Sequence, residues 1–154
     1  MNKQQTPYTI RVAAPGDMPQ IIRLCAAHAA YEKSPYEVED KQQRLADALF
    51  GNQPLLHCLV AERDNQLLGY ATYMYQYSTW DAAQYVYMDC LYLDEAHRGQ
   101  RIGEALMLKI KEAADAGGCR LIQWQTPDFN EGAIRFYKRM GAYAKAKERF
   151  FWEW

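Results

Sequence analysis

Residues Arg98-Gly99-Gln100-Arg101-Ile102-Gly103 set two arginines and two glycines directly ahead of a run with helical periodicity. The first turn of a helix carries backbone N–H groups without intrahelical partners, and the aligned peptide dipoles make that end positive. Glycine removes the side chain that would hold a ligand off the backbone. The combination suits an anion, phosphate above all. It is not a Walker loop, since no Gly-Lys-Ser/Thr follows, nor the dinucleotide pattern Gly-x-Gly-x-x-Gly. A pyrophosphate would be held by another route; the alternative is a plain loop with two solvated arginines. Asp89 is a second candidate. It interrupts the apolar run Gln84–Leu93. A carboxylate is costly to bury unpaired, so it pairs, faces a cleft, or lies on a wet strand edge.

Several elements must position these groups. Tyr8–Ala13 reads as a short strand. Asp17 is placed to cap a helix in which Ile21, Leu24, Cys25 and His28 share a face, and Pro35 breaks the chain after it. A second helix is predicted over about 39–50. The stretches His57–Glu62 and Leu67–Tyr77 flank Arg63-Asp64-Asn65-Gln66 as a hairpin, and Gln84–Leu93 is a further strand. The helix after the arginine–glycine stretch runs to about Ala116, with Ile102, Ala105, Leu106, Ile110 and Ala113 facing inward and Gly117 and Gly118 ending it. Arg120–Thr126 reads as a strand. Asn130–Ala142 reads as a short helix with Gly141 just past its end, and the aromatic tail, Ala142–Trp154, as strand-like. This order predicts an α/β fold in one domain over 1–154. Its central strand–helix–strand unit is parallel and its hairpin antiparallel.

Composition narrows the function. A chain that is 49% hydrophobic and 154 residues long can bury a core. A formal net charge of −1 argues against a general nucleic-acid binder. No stretch approaches the length of a membrane span, and Met1–Val12 lacks the apolar region of a secretory leader, so a cytoplasmic protein is expected. Cys25, Cys58, Cys90 and Cys119 are scattered and read as reduced core thiols. No Cys/His spacing calls for a metal. His28 reads as a core or interface residue, His57 opens a strand, and His97 sits exposed beside the arginine–glycine loop.

The segments Leu91–Met107 and Gln125–Ala142 together resemble the acetyl-CoA-binding core of the GNAT superfamily of N-acetyltransferases. The family signature is Gln/Arg-x-x-Gly-x-Gly/Ala, and Arg101 stands where its first glycine would be. Ala29–Glu37, Leu56–Glu62 and Leu67–Trp80 are similar to the spermidine/spermine and thialysine acetyltransferase branch. The resemblance implies a mixed, mostly antiparallel twisted sheet with helices flanking the parallel unit. It also implies acetyl-CoA as co-substrate, with no metal, and a homodimer as in related acetyltransferases.

Site residues follow from the same resemblance. Arg98, Gly99, Gln100, Arg101, Ile102, Gly103 and Glu104 would hold the diphosphate, and Arg101 would still give its N–H provided its conformation is helical and not left-handed. Leu91, Tyr92 and Leu93 would pair with the pantetheine arm, and the Leu93 N–H would polarise the thioester carbonyl. Asn130 and Ala133 would lie near that arm, and Asn130 also reads as a helix cap. Tyr137 would protonate the leaving thiolate; from the residues alone it reads first as part of the apolar face of a short helix. Asp89 would be the base or the amine anchor. Tyr31, Glu32, Trp80 and Glu148 would bind the acceptor. Ser78 and Cys90 stand where polyamine enzymes tend to be acidic. Their loss favours an amino-acid side chain such as lysine, ornithine or thialysine, or a diamine. An aminoglycoside-like compound, a protein amine and a non-catalytic CoA-binding module are the alternatives.

Overall fold

The computed structural model describes residues 6–154. Five strands form one sheet in the order β1-β2-β3-β4-β5: Thr9–Val12, His57–Arg63, Gln66–Ser78, Ala83–Leu93 and Ile122–Gln123. The first four are antiparallel neighbours, and β5 runs parallel to β4. Among the described residues four α-helices flank the sheet: α1 (Met18–Tyr31), α2 (Lys41–Phe50), α3 (Ile102–Ala116) and α4 (Glu131–Arg139). Among the described residues no helix is long and apolar enough to cross a membrane.

Side chains of successive strand residues point to opposite faces, so β2 sends Cys58 and Val60 toward α1 and α2, and Leu59 and Ala61 toward α3. Each face closes a separate core. Ile21 and Leu24 fill one, and Ile102, Leu106 and Ile110 fill the other, all at 1% exposure or less. The β2–β3 turn places Asp64 at φ 51° and Asn65 at φ 62°. Both central residues are left-handed, which gives the twist a two-residue hairpin requires.

Three expectations need correction. Asp17 precedes α1 but does not cap it. Its carboxylate accepts from the Arg11 guanidinium at 2.7 and 2.8 Å and from the Ala14 N–H at 2.7 Å, so the side chain is drawn back toward β1. The strand predicted over Arg120–Thr126 shrinks to Ile122–Gln123, because β4 is paired only through Val86 and Tyr87 before the two strands part. The tail forms no strand. From Ala142 on it runs without regular structure, and Phe150, Phe151, Trp152 and Trp154 are 90, 72, 89 and 108% exposed.

Candidate active site

The pairing of β3 with β4 slips by one residue at Asp89. Thr72 faces Cys90 and Tyr73 faces Met88, so Asp89 is left opposite nothing. This is a β-bulge, a device that re-aims a side chain. It also changes the phase of β4: Val86 and Met88 lie on the α3 face before it, and Leu91 and Leu93 lie on that face after it. The carboxylate of Asp89 is exposed on a cleft wall, and among the described residues only the Cys90 thiol is bonded to it, at 3.7 Å.

The cleft opens where β4 and β5 separate. Its volume, about 930 Å³, lies at the upper end of the range for ligand sites, about 300–1,000 Å³, and exceeds what a small amine needs. One wall is the unpaired edge of β4. Asp94 donates its N–H to Leu68 on β3 at 2.9 Å. Backbone groups alternate along a strand, so the Leu93 N–H and C=O turn the other way, into the gap where β5 has left. The Leu93 carbonyl accepts from Arg98 Nε at 3.2 Å, and the Arg98 guanidinium lies over the Tyr31 ring, 4.6 Å from its centroid.

The arginine–glycine loop ends at the start of α3, as its composition demands. The first helical bond runs from the Ala105 N–H to the Arg101 carbonyl at 3.1 Å, and no side chain caps the end. The earlier amides of the turn are therefore available to a ligand. Arg101 does not meet the condition set for it. Its φ of 62° and ψ of 17° are left-handed, not helical. A non-glycine residue there costs roughly 1–2 kcal/mol, which explains why the family pattern has glycine at this point. Its guanidinium is held by Glu104 at 3.0 Å.

Tyr137 projects from α4 into the cleft and packs edge-on against Trp124, with centroids 5.1 Å apart. Burial, then the negative charge of Glu32, push its hydroxyl up to about 12. It stays protonated well above neutral pH. Asn130 caps α4 by accepting the Ala133 N–H at 3.3 Å, and the same oxygen accepts the Tyr31 hydroxyl at 3.2 Å. Asn130 thus caps α4 and lines the cleft at once.

The fold brings together in this cleft Tyr31, Glu32, Asp89, Leu91, Tyr92 and Leu93, joined by Arg98, Gly99, and Arg101 through Glu104, and by Asn130, Ala133 and Tyr137. It does not bring Gln100, whose side chain accepts from Arg63 at 2.9 Å on the β2 side. Trp80 is 98% exposed in the β3–β4 turn, about 20 Å along β4 from Asp89 at strand spacing. Glu148 lies exposed on the tail, outside the cleft wall. His28 lines the cleft and not the core alone. Trp124, just past the end of β5, and Phe136 of α4 also line it; apolar residues in stretches that read as strand and helix gave no signal of that role.

Residues 21–142 match the acetyltransferase (GNAT) family. The chain is 34% identical over 141 residues to the thialysine N-epsilon-acetyltransferase of Sus scrofa, covering 86% of this chain and 82% of that one. It is 32% identical over 117 residues to the phosphinothricin N-acetyltransferase of Alcaligenes faecalis, covering 73% and 57%. The crystal structure of a transcriptional regulator from Bacillus halodurans C-125 superposes with a TM-score of 0.82 at 25% identity, covering 96% of this chain and all of that one. By family match, relatives and fold together, this chain belongs to the GNAT acetyltransferase family and is an acyltransferase.

Proposed function

We propose that the enzyme transfers the acetyl group of acetyl-CoA to a primary amine of a small molecule, by direct attack within one ternary complex. The observation that carries this reading is that groups of both signs line one cleft. Arg98, Arg101 and the open amides of α3 form one set, and Glu32 and Asp89 the other. An anionic diphosphate suits the first and a cationic amine the second.

The chemistry follows from what each group can do. An alkylamine, with a pKa near 10.4, must lose a proton before it attacks. Asp89, free of the ladder, accepts that proton directly or through water, or anchors the ammonium. The Leu93 N–H donates to the carbonyl oxygen as charge develops on it. The C–N bond forms, the C–S bond breaks, and Tyr137 gives its proton to the departing thiolate, whose pKa is about 8.5 if it resembles cysteine. The acceptor is an amine of low charge, such as lysine, ornithine, thialysine or a diamine. Ser78 and Cys90 supply no negative charge for a polyamine, and relatives named for thialysine and phosphinothricin support a compact acceptor. Thiol release from acetyl-CoA with lysine, ornithine, thialysine, putrescine and spermidine tests this. A strong preference for spermidine would overturn the acceptor assignment. No turnover with any amine, together with no calorimetric heat from acetyl-CoA, would overturn the whole reading.

The working unit is a cytoplasmic homodimer. The exposed aromatic tail and the outer edge of β5, unpaired among the described residues on the side away from β4, support a second copy of this chain as the partner. Four free cysteines support a reducing compartment. A monomer mass by light scattering at micromolar concentration refutes the dimer.

A further inference from the structure

Glu32 stands where a carboxylate is electrostatically disfavoured. It is the C-cap residue of α1, at the negative end of that helix's dipole. Among the described residues, its carboxylate has one side-chain partner, His28, one turn back. The His28 Nε2 and Glu32 Oε1 lie 3.1 Å apart, and the other carboxylate oxygen is left for the cleft. His28 is in turn fixed from behind. Its Nδ1 lies 2.9 Å from the Tyr70 hydroxyl, and its ring stacks on Tyr92 with centroids 5.1 Å apart and 19° between planes. Tyr70 is only 2% exposed, and the Cys25 and Cys90 thiols flank its hydroxyl.

We infer that His28 is a positioning residue for the acceptor: the Tyr70–His28 pair locks the Glu32 carboxylate in the cleft as the anchor of a protonated amine. The inference rests on the proposed amine acceptor. The hydrogen-bond chemistry also sets a tautomer. An ionised carboxylate only accepts, so Nε2 must carry a hydrogen. Burial keeps the Tyr70 proton in place. Its O–H can then donate to a bare Nδ1, so of the two neutral tautomers the Nε2–H form satisfies both contacts. The Nδ1–H form would leave Nε2 facing the carboxylate with no hydrogen between them.

Steady-state kinetics of His28→Ala, Glu32→Gln and the double variant test this. His28→Ala is expected to raise the KM of the amine about 5–10-fold, the loss of one charge-assisted hydrogen bond, with kcat and the acetyl-CoA KM within about twofold. In the Glu32→Gln background, His28→Ala is expected to add less than about twofold, since the two act as one unit. His28→Gln, which keeps an N–H donor, is expected to recover part of the loss. An undiminished His28→Ala effect without the carboxylate would show packing alone and overturn the inference. So would an amine KM that does not move. Should the wild type turn over no amine, the proposed function fails first. Nitrogen-15 NMR of the histidine rings still decides the inference, because a His28 found as Nδ1–H refutes the lock without any assay of activity.

Discussion

Replacing Gly103 with alanine separates folding from ligand binding at the start of α3. A Cβ there would meet Phe136 Cζ at 3.5 Å and Leu93 Cδ1 at 3.6 Å, ordinary contact distances, so the core has room for it. Glycine within a helix costs about 0.5–1 kcal/mol relative to alanine. The variant should therefore be as stable as the parent or melt about 1–3 °C higher, at the usual scaling for a chain of this length. The new methyl tilts toward the helix N-terminus, as every helical Cβ does. That is the mouth where the diphosphate would meet the open amides. Acetyl-CoA affinity should fall about tenfold or more, equivalent to about 1.4 kcal/mol. Differential scanning fluorimetry reads the first quantity and titration calorimetry the second. A variant that melts normally and binds acetyl-CoA within twofold of wild type would refute the placement of the diphosphate at this turn.

Tyr137→Phe should lower kcat about tenfold or more and leave the acetyl-CoA KM within about twofold; an unchanged kcat would make Tyr137 purely structural. Because its hydroxyl is pushed up to about 12, the wild-type rate should show no descending limb from Tyr137 through pH 10. Gly69→Ala should behave oppositely to Gly103→Ala. Its Cβ would lie 2.5 Å from the Tyr92 carbonyl oxygen and would also strike the Leu93 side chain, forcing β3 away from β4. A loss of about 3 kcal/mol in urea unfolding is expected. Alkali should destabilise the fold through its thiols. Burial raises Cys58 and Cys90 from 9.0 to about 12. Above pH 9 the unfolded chain releases these protons while the folded chain keeps them, so stability is flat below 9 and falls from 9 toward 12. The urea midpoint should drop between pH 8 and 10, and less steeply in Cys58→Ala.

Much of this architecture could be read from the residues. The two glycine-ended helices, the Asp-Asn hairpin turn and the amide-rich loop all have local chemistry that determines local shape. The bulge at Asp89 does not. Tyr85 through Leu93 is apolar on both faces, so no alternation marks where the phase changes, and only the partner strand reveals the extra residue. His28 was hidden for a related reason: its spacing puts it on the inward face of α1, and the cleft reaches that face only because β5 ends early. Trp80 and Glu148 were assigned by resemblance, and the fold holds both outside the cleft. Arg101 shows propensity overruled by tertiary need, since the turn into α3 requires a left-handed residue whichever side chain occupies it.

The extra residue in β4 owes nothing to the hydrogen-bonded ladder around it. The side chain at position 89 belongs to no rung of the β3–β4 ladder and to neither core. If Asp89 handles the amine as proposed, a scaffold built this way can trade that group for another, and so one acceptor for another, without having to relearn how to fold.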